Sequence, residues 1–255
     1  MAVYASVNKI KIMKKLNSYA ELLNGQYHQN GNGNGHHYDT NIDLLGDEHA
    51  ATSIETPMRD DAFALSDEAK IAKIEHHFEQ IMETLGLDLT DDSLKGTPRR
   101  VAKMYVKEIF TGLNPANKPV PSVFENKFRY GQMLVEKSIN LNSTCEHHFL
   151  PIFGKAHVAY VANGVVIGLS KINRIVDYFS RRPQVQERLT VQIANELKKV
   201  LNTEDVAVVI EAKHMCVSCR GIQDESSTTL TAEYSGIFKS EKRKEEFLTY
   251  IGLKI

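Results

Sequence analysis

Apolar residues recur along this chain in two periods, and the switches between them predict its elements. Ile71, Ile74, Phe78, Ile81 and Leu85 fall at helical spacing. Ahead of them stand Ser66, Asp67 and Glu68, a capping side chain and two acids suited to the positive end of a helix; Gly86 stops it. A second helix is expected from a cap at Thr97, with Pro98 at its first position and Val101, Met104, Tyr105 and Ile109 inward, as far as Gly112. Pro115, Pro119 and Pro121 mark a loop, after which residues 133–141 read as a strand. Residues 155–161 and 165–169 flank Asn163-Gly164, a pair that favours a tight hairpin turn. Ser170 is expected to open a short helix carrying Ile172, Ile175, Val176 and Phe179, broken at Arg181, Arg182 and Pro183. A longer helix follows, with Val185, Leu189, Ile193, Leu197 and Val200 on one face. Residues 206–220 and 228–235 read as strands, and Ser240 caps a final charged helix. Local hairpins with clustered helices predict an α+β fold on a largely antiparallel sheet.

The N-terminal part follows different rules. Residues 3–23 hold Lys9, Lys11, Lys14 and Lys15 among apolar residues at near-helical spacing, which reads as a peripheral amphipathic helix. Lysines interrupt the apolar positions, so it is not a secretory signal. Residues 25–56 turn to Asn, Gly, His and Asp, a composition that cannot offset the entropy of ordering, and read as a flexible linker. The chain therefore divides into an N-terminal extension, 1–65, and a folded domain, 66–255. Hydrophobic content of 42% is enough for that domain to bury a core. A net charge of -1 gives no reason to expect nucleic acid, and no apolar run approaches the roughly 20 residues of a membrane span. Three cysteines do not make a disulfide framework; they suit a reducing, cytoplasmic setting in which cysteine serves metal or catalysis.

The chemistry concentrates in two places. Cys145, Glu146, His147 and His148 are consecutive, and a thiol and an imidazole at i and i+3 in a tight turn can grip one metal ion. Cys216 and Cys219 lie in a second cluster that opens with His214 and closes with Arg220. Four ligands would make a closed structural zinc site, three an open one with a position left for water. If the strand continues to 220, His214, Cys216, Ser218 and Arg220 share a face and Cys219 points away, which favours the open site with Cys145, His148 and Cys216 as ligands. Zinc lowers the pKa of a bound water to about 7. Lys171 and Arg174, on the first turns after Ser170, offer an anion seat, and Arg220 shares the face of Cys216. Arg99, Arg100 and Lys103 begin a helix whose dipole disfavours cations, a hint that an anion comes there. Glu187 lies opposite the apolar stripe of its helix, facing solvent unless another subunit covers it.

From Ser143 to His148 the chain resembles the GTP cyclohydrolase I family. Further blocks recur there in the same order: 97–105, 168–175, 182–190, His214 with Cys216, and Arg220 with Gly221. The resemblance covers residues from Ser66 onward. It implies the tunnelling fold, a ββααββ arrangement with helices on one face of an antiparallel sheet, here preceded by N-terminal helices. It implies a ring-shaped homo-oligomer, in the family a decamer, with sites between subunits, and hydrolysis of the guanine imidazole ring of GTP to formate and 7,8-dihydroneopterin triphosphate. Carried over, Cys145, His148 and Cys216 would hold zinc, and His147 and His214 would transfer protons. Glu187 would bind the guanine edge, Gln186 and Ser170 would stand near the ribose, and Glu146 would line the site. Arg100, Lys103, Lys171, Arg174 and Arg220 would hold the triphosphate. Cys219 departs from the family pattern. A zinc nucleobase deaminase is the alternative enzyme, but Met215, not proline, precedes Cys216. A structural zinc module is the non-enzymatic alternative and would need Cys219 as a fourth ligand.

Overall fold

The computed structural model describes residues 53–253. The amphipathic stretch 3–23 and nearly all of the expected linker lie outside the described residues. Helix α1 (Asp67–Thr84) starts as expected, with Ser66 Oγ accepting from Ala69 N at 3.2 Å. Its buried stripe differs from the expected one: Ile71 and Met82 are buried, whereas Ile81 and Leu85 are exposed. Helix α2 (Thr97–Met104) is capped by Gly96, not Thr97, so Pro98 takes the second position. The Thr97 hydroxyl instead accepts from Arg100 Nη2 at 2.8 Å. The expected run to Ile109 widens into a π-helical turn at Tyr105–Ile109.

A five-stranded sheet follows, in the order β5-β2-β3-β6-β7, formed by β2 (Met133–Cys145), β3 (Pro151–Val161), β5 (Pro183–Gln184), β6 (Val206–His214) and β7 (Thr229–Tyr234). All pairings are antiparallel except the short edge contact of β5 with β2. Asn163-Gly164 does not close a hairpin here. The strand after it, β4 (Val165–Ile167), leaves β3 and pairs with β1 (Val123–Glu125) in a separate ribbon. The hairpin that builds the sheet is β2–β3, whose turn is residues 146–150.

Helices α3 (Leu169–Ser180) and α4 (Gln186–Leu201) pack on one face of the sheet. Helix α3 starts after Gly168, so Ser170 lies inside its first turn and does not cap it. Its Ile172, Ile175 and Val176, and Leu189, Ile193 and Leu197 of α4, are buried against Leu141, Ile152, Val158, Tyr160, Val208 and Ile210 of the sheet. The opposite face carries a smaller core, in which Met133, Ala159, Ala207 and Val209 meet Phe238 and Phe247. Phe247 belongs to the C-terminal helix α6 (Glu241–Ile251), which Ser240 precedes without donating a side-chain cap. Strand β6 stops at His214 and the chain turns into one helical turn, α5 (Met215–Ser218), so strand alternation does not extend to 220. This is an α+β architecture, and the C-terminal end of β2, the β2–β3 turn and the end of β6 meet at one edge of it. Among the described residues, no helix is long and apolar enough to cross a membrane.

Candidate active site

The β2–β3 turn is held from within. Cys145 N–H donates to Leu150 O at 2.8 Å and Phe149 N–H to Cys145 O at 2.9 Å, and Phe149 adopts a left-handed φ of 54° to close it. A non-glycine residue in that region costs about 1–2 kcal/mol. The edge-on packing of the Phe110 and Phe149 rings, with centroids 5.4 Å apart, offsets part of that cost. The turn aims its side chains together: Cys145 Sγ lies 3.8 Å from His147 Nδ1 and 3.9 Å from His148 Nδ1.

The end of β6 completes the cluster. Ile152 of β3 is in register with His214, so pairing with the strand that follows the turn brings the end of β6 and His214 there, and the one-turn helix after β6 carries Cys216. One ligand atom from each of Cys145, His148 and Cys216 lies within 4.8 Å of the others. Cys219 is not in this group; it is exposed, and its thiol donates to Met215 O at 2.8 Å. The three residues expected from the sequence are therefore brought together, and Cys219 is turned away by a helix, not by strand alternation. Burial, reinforced by the neighbouring Cys145 thiol, pushes the Cys216 thiol up to about 11. Two thiols and an imidazole so placed suit a divalent cation with a taste for sulfur and nitrogen, which would take up the thiolate charge that burial disfavours.

Gln186 and His214 form a second unit. The Gln186 amide nitrogen donates to Ile210 O at 3.1 Å and Thr229 O at 2.9 Å, which fixes the amide orientation. Gln186 Oε1 must then accept from His214 Nε2, 2.8 Å away, leaving the lone pair of a neutral ring on Nδ1. Burial pushes the His214 imidazole below its ordinary value of 6.5, against an opposing pull from Glu187. Gln186 is buried, and Glu187 beside it is exposed on the protomer, as the helix pattern required.

Glu146 is less free than its expected place lining the site suggests. Its carboxylate takes a two-pronged hydrogen bond from Arg188, at 2.6 and 3.2 Å, and stands 3.8 Å from His147 Nε2. Arg220 Nη2 is 2.6 Å from His148 Nε2, which ties this cation to the cluster. Arg100 bonds the Ser93 carbonyl and Thr97 and is exposed, as are Lys103, Ser170 and Arg174; Lys171 is half-buried. Arg99, the other odd cation of that helix start, pairs with Glu75 at 2.7 Å. Three side chains close to the site were not singled out in the sequence: Gln184, Arg188 and Gln192. Arg188 and Gln192, four residues apart beside the apolar stripe of Leu189, Ile193 and Leu197, read in the sequence as a solvated polar face, and nothing there marked Gln184.

The family model described as GTP cyclohydrolase I matches residues 74–252. A GTP cyclohydrolase 1 of Flavobacterium johnsoniae is 61% identical over 212 residues, covering 83% of this chain and 95% of its own. One of Aeromonas salmonicida is 55% identical over 199 residues, 78% of this chain and 90% of its own. One of Salmonella gallinarum is 51% identical over 206 residues, 80% and 93% respectively. The family match spans both the turn and the end of β6 where Cys145, His148 and Cys216 converge, and with relatives this similar the chain belongs to the GTP cyclohydrolase I family.

Proposed function

We propose that this chain, as a GTP cyclohydrolase I, opens the imidazole ring of GTP, and that Cys145, His148 and Cys216 would hold the zinc ion that the reaction uses. The products are formate and 7,8-dihydroneopterin triphosphate. The observation that carries this reading is the convergence of exactly those three ligand atoms within 4.8 Å, with Cys219 left outside. When bound, zinc supplies Lewis acidity that makes hydroxide available near neutral pH. The chain's own groups do the rest. His147, 3.8 Å from Cys145 Sγ, and His214, two residues before Cys216, would move protons at N7 of the purine and on the opened ring. His214 enters neutral, its tautomer set by Gln186. The carboxylate of Glu187 accepts the N–H bonds of the guanine edge, which adenine cannot offer in the same pattern. Gln186 and Ser170 stand near the ribose, Glu146 lines the site, and Arg100, Lys103, Lys171, Arg174 and Arg220 hold the triphosphate.

The same reading gives the chain the tunnelling fold of its family, consistent with the β2-β3-α3-α4-β6-β7 order. It divides the chain into an extension, 1–65, and a catalytic domain, 66–255, and places the protein in the cytoplasm. It makes the working unit a homo-oligomer, a decamer in ring form, without nucleic acid or membrane as partner.

Purified protein given GTP, with and without a chelator, tests the reaction through formate and the pterin chromophore. Formate release that the chelator abolishes is expected; ammonia in place of formate would overturn the reading in favour of a deaminase. Cys216→Ser should lose both metal and formate release. Cys219→Ser should keep one zinc per chain and nearly full activity, and loss of metal there would return the site to a closed structural one.

A further inference from the structure

Residues 53–55 lie upstream of the family match and of the expected domain boundary, and their side chains are exposed. They are nevertheless bonded to two buried polar side chains, Arg188 and Gln192. Arg188 Nε donates to the carbonyl of Ser53 at 2.8 Å, while the two terminal nitrogens of the same guanidinium grip Glu146. One turn further along α4, Gln192 Nε2 donates to Glu55 Oε2 at 3.1 Å. Its Oε1 accepts from Gln184 Nε2 at 2.9 Å. Gln184 pairs with Cys145 across the β5–β2 edge, and its carbonyl accepts from Glu146 N at 3.0 Å. Two parallel chains of hydrogen bonds therefore run from residues 53–55, through side chains at i and i+4 of α4, to the backbone and carboxylate of the residue that follows Cys145.

The burial of Arg188 decides how much this matters. Its side chain is 2% exposed, and among the described residues Glu146 is its only carboxylate within salt-bridge distance. A buried guanidinium is costly unless every donor is met and its charge paired. Here the fork is met by Glu146 and Nε by Ser53, so neither end is dispensable, and the planar fork fixes the direction of the carboxylate as well as its distance.

We propose that Arg188 and Gln192 are positioning residues for the catalytic turn, and that residues 53–55 are the outer anchor of this brace. The inference rests on the ring-opening reading above for its kinetic readout only. The brace acts through Glu146 on the turn that carries Cys145, His147 and His148, so loosening it should free both metal and proton-transfer geometry while leaving nucleotide binding alone. Outer partners of metal ligands commonly tune affinity or activity by about 10–100-fold.

The test uses the full chain with zinc bound, in four variants: Arg188→Met, Arg188→Lys, Gln192→Ala and Glu55→Ala. Two quantities are read, the rate of zinc loss to a chromophoric chelator and the steady-state constants for GTP. Arg188→Met should speed zinc loss and lower kcat by about tenfold or more, with KM within about threefold; Arg188→Lys, which keeps the charge but not the fork, should fall between it and wild type. Gln192→Ala and Glu55→Ala should each show the same pattern at about threefold. Glu55 is decisive, because an exposed side chain outside the family match should otherwise be neutral and its loss does not threaten folding. Zinc loss and kcat unchanged in both Glu55→Ala and Gln192→Ala would overturn the brace, as would an effect of Arg188→Met on KM alone. Should wild-type protein release no formate from GTP, the ring-opening reading falls, and the zinc-loss rates still decide the brace.

Discussion

At the scale of single residues, His157 shows how burial alone writes a pH dependence. It sits in β3 on the face of the smaller core, 6% exposed, and its Nδ1 accepts from Ser138 N at 3.3 Å in the bulge that interrupts the β2–β3 register. Burial holds its imidazole below the ordinary 6.5; Glu211 pulls the other way, and Lys137 and Lys155 add to the depression. The unfolded chain therefore binds a proton more readily than the folded one. The stability that neutral His157 allows is complete above pH 6.5 and is lost as the pH falls toward and through the depressed folded value. His157→Asn keeps an acceptor for Ser138 and removes the titration, so its thermal midpoint should fall less than that of wild type between neutral and mildly acid pH. Parallel curves for the two proteins would contradict this. None of it was legible in the sequence, where His157 reads as one residue of an apolar strand. The grouping of Cys145, His148 and Cys216 was legible because these residues are close in sequence or paired by type. Arg188 was not, since a basic residue in a helix is ordinarily a solvated charge, and only the tertiary contact with Glu146 shows otherwise.

The elements were legible in kind and less so in their joints. Strand β6 was expected to run past Cys216 because 206–220 is rich in β-formers, but local propensity does not register that Met215 to Ser218 can close a helical turn. Asn163-Gly164 gave a sound turn signal, yet β1, some forty residues upstream, competes for the strand after it and wins. The turn that closes the working hairpin has no glycine; it closes on left-handed Phe149, a conformation that residue type did not announce. How closely these elements pack governs where the catalytic groups land. Gly154 of β3 faces Ala212 of β6, and a Cβ added there would come 2.2 Å from Glu211 O and 2.5 Å from the Ala212 Cβ. The methyl has backbone on one side and no flexible atom to displace, so the strands themselves must part. Two residues further along the ladder is His214 opposite Ile152. Gly154→Ala should cost about 1–3 kcal/mol in chemical denaturation, as overpacking does, and should lower kcat through displaced His214. Unchanged stability would mean that β3 and β6 can separate freely, which the continuous ladder between them argues against.

At the scale of the whole molecule, the protomer holds Cys145, His148 and Cys216 together but leaves several of the residues proposed for the substrate facing outward. Glu187, Arg100, Lys103, Ser170 and Arg174 are all exposed, and an exposed carboxylate in water discriminates poorly among bases because water competes for its hydrogen bonds. A site that selects guanine needs that face covered, and in the proposed ring a second copy of the chain would cover it. The arrangement has a consequence that no single-chain enzyme shares. If the anion seat near Lys171 serves a zinc centre on a neighbouring subunit, then Lys171→Ala and His214→Ala damage different halves of a composite site. Each variant alone should release formate from GTP at a small fraction of the wild-type rate. Dissociated, mixed and reassembled, the pair should recover activity that neither shows, because some interfaces join an intact seat from one chain to an intact centre from the other. Light scattering of the same mixtures reports whether reassembly took place. Full reassembly with no recovered activity would place seat and centre in one chain, and the covering subunit would then serve only to exclude water from Glu187.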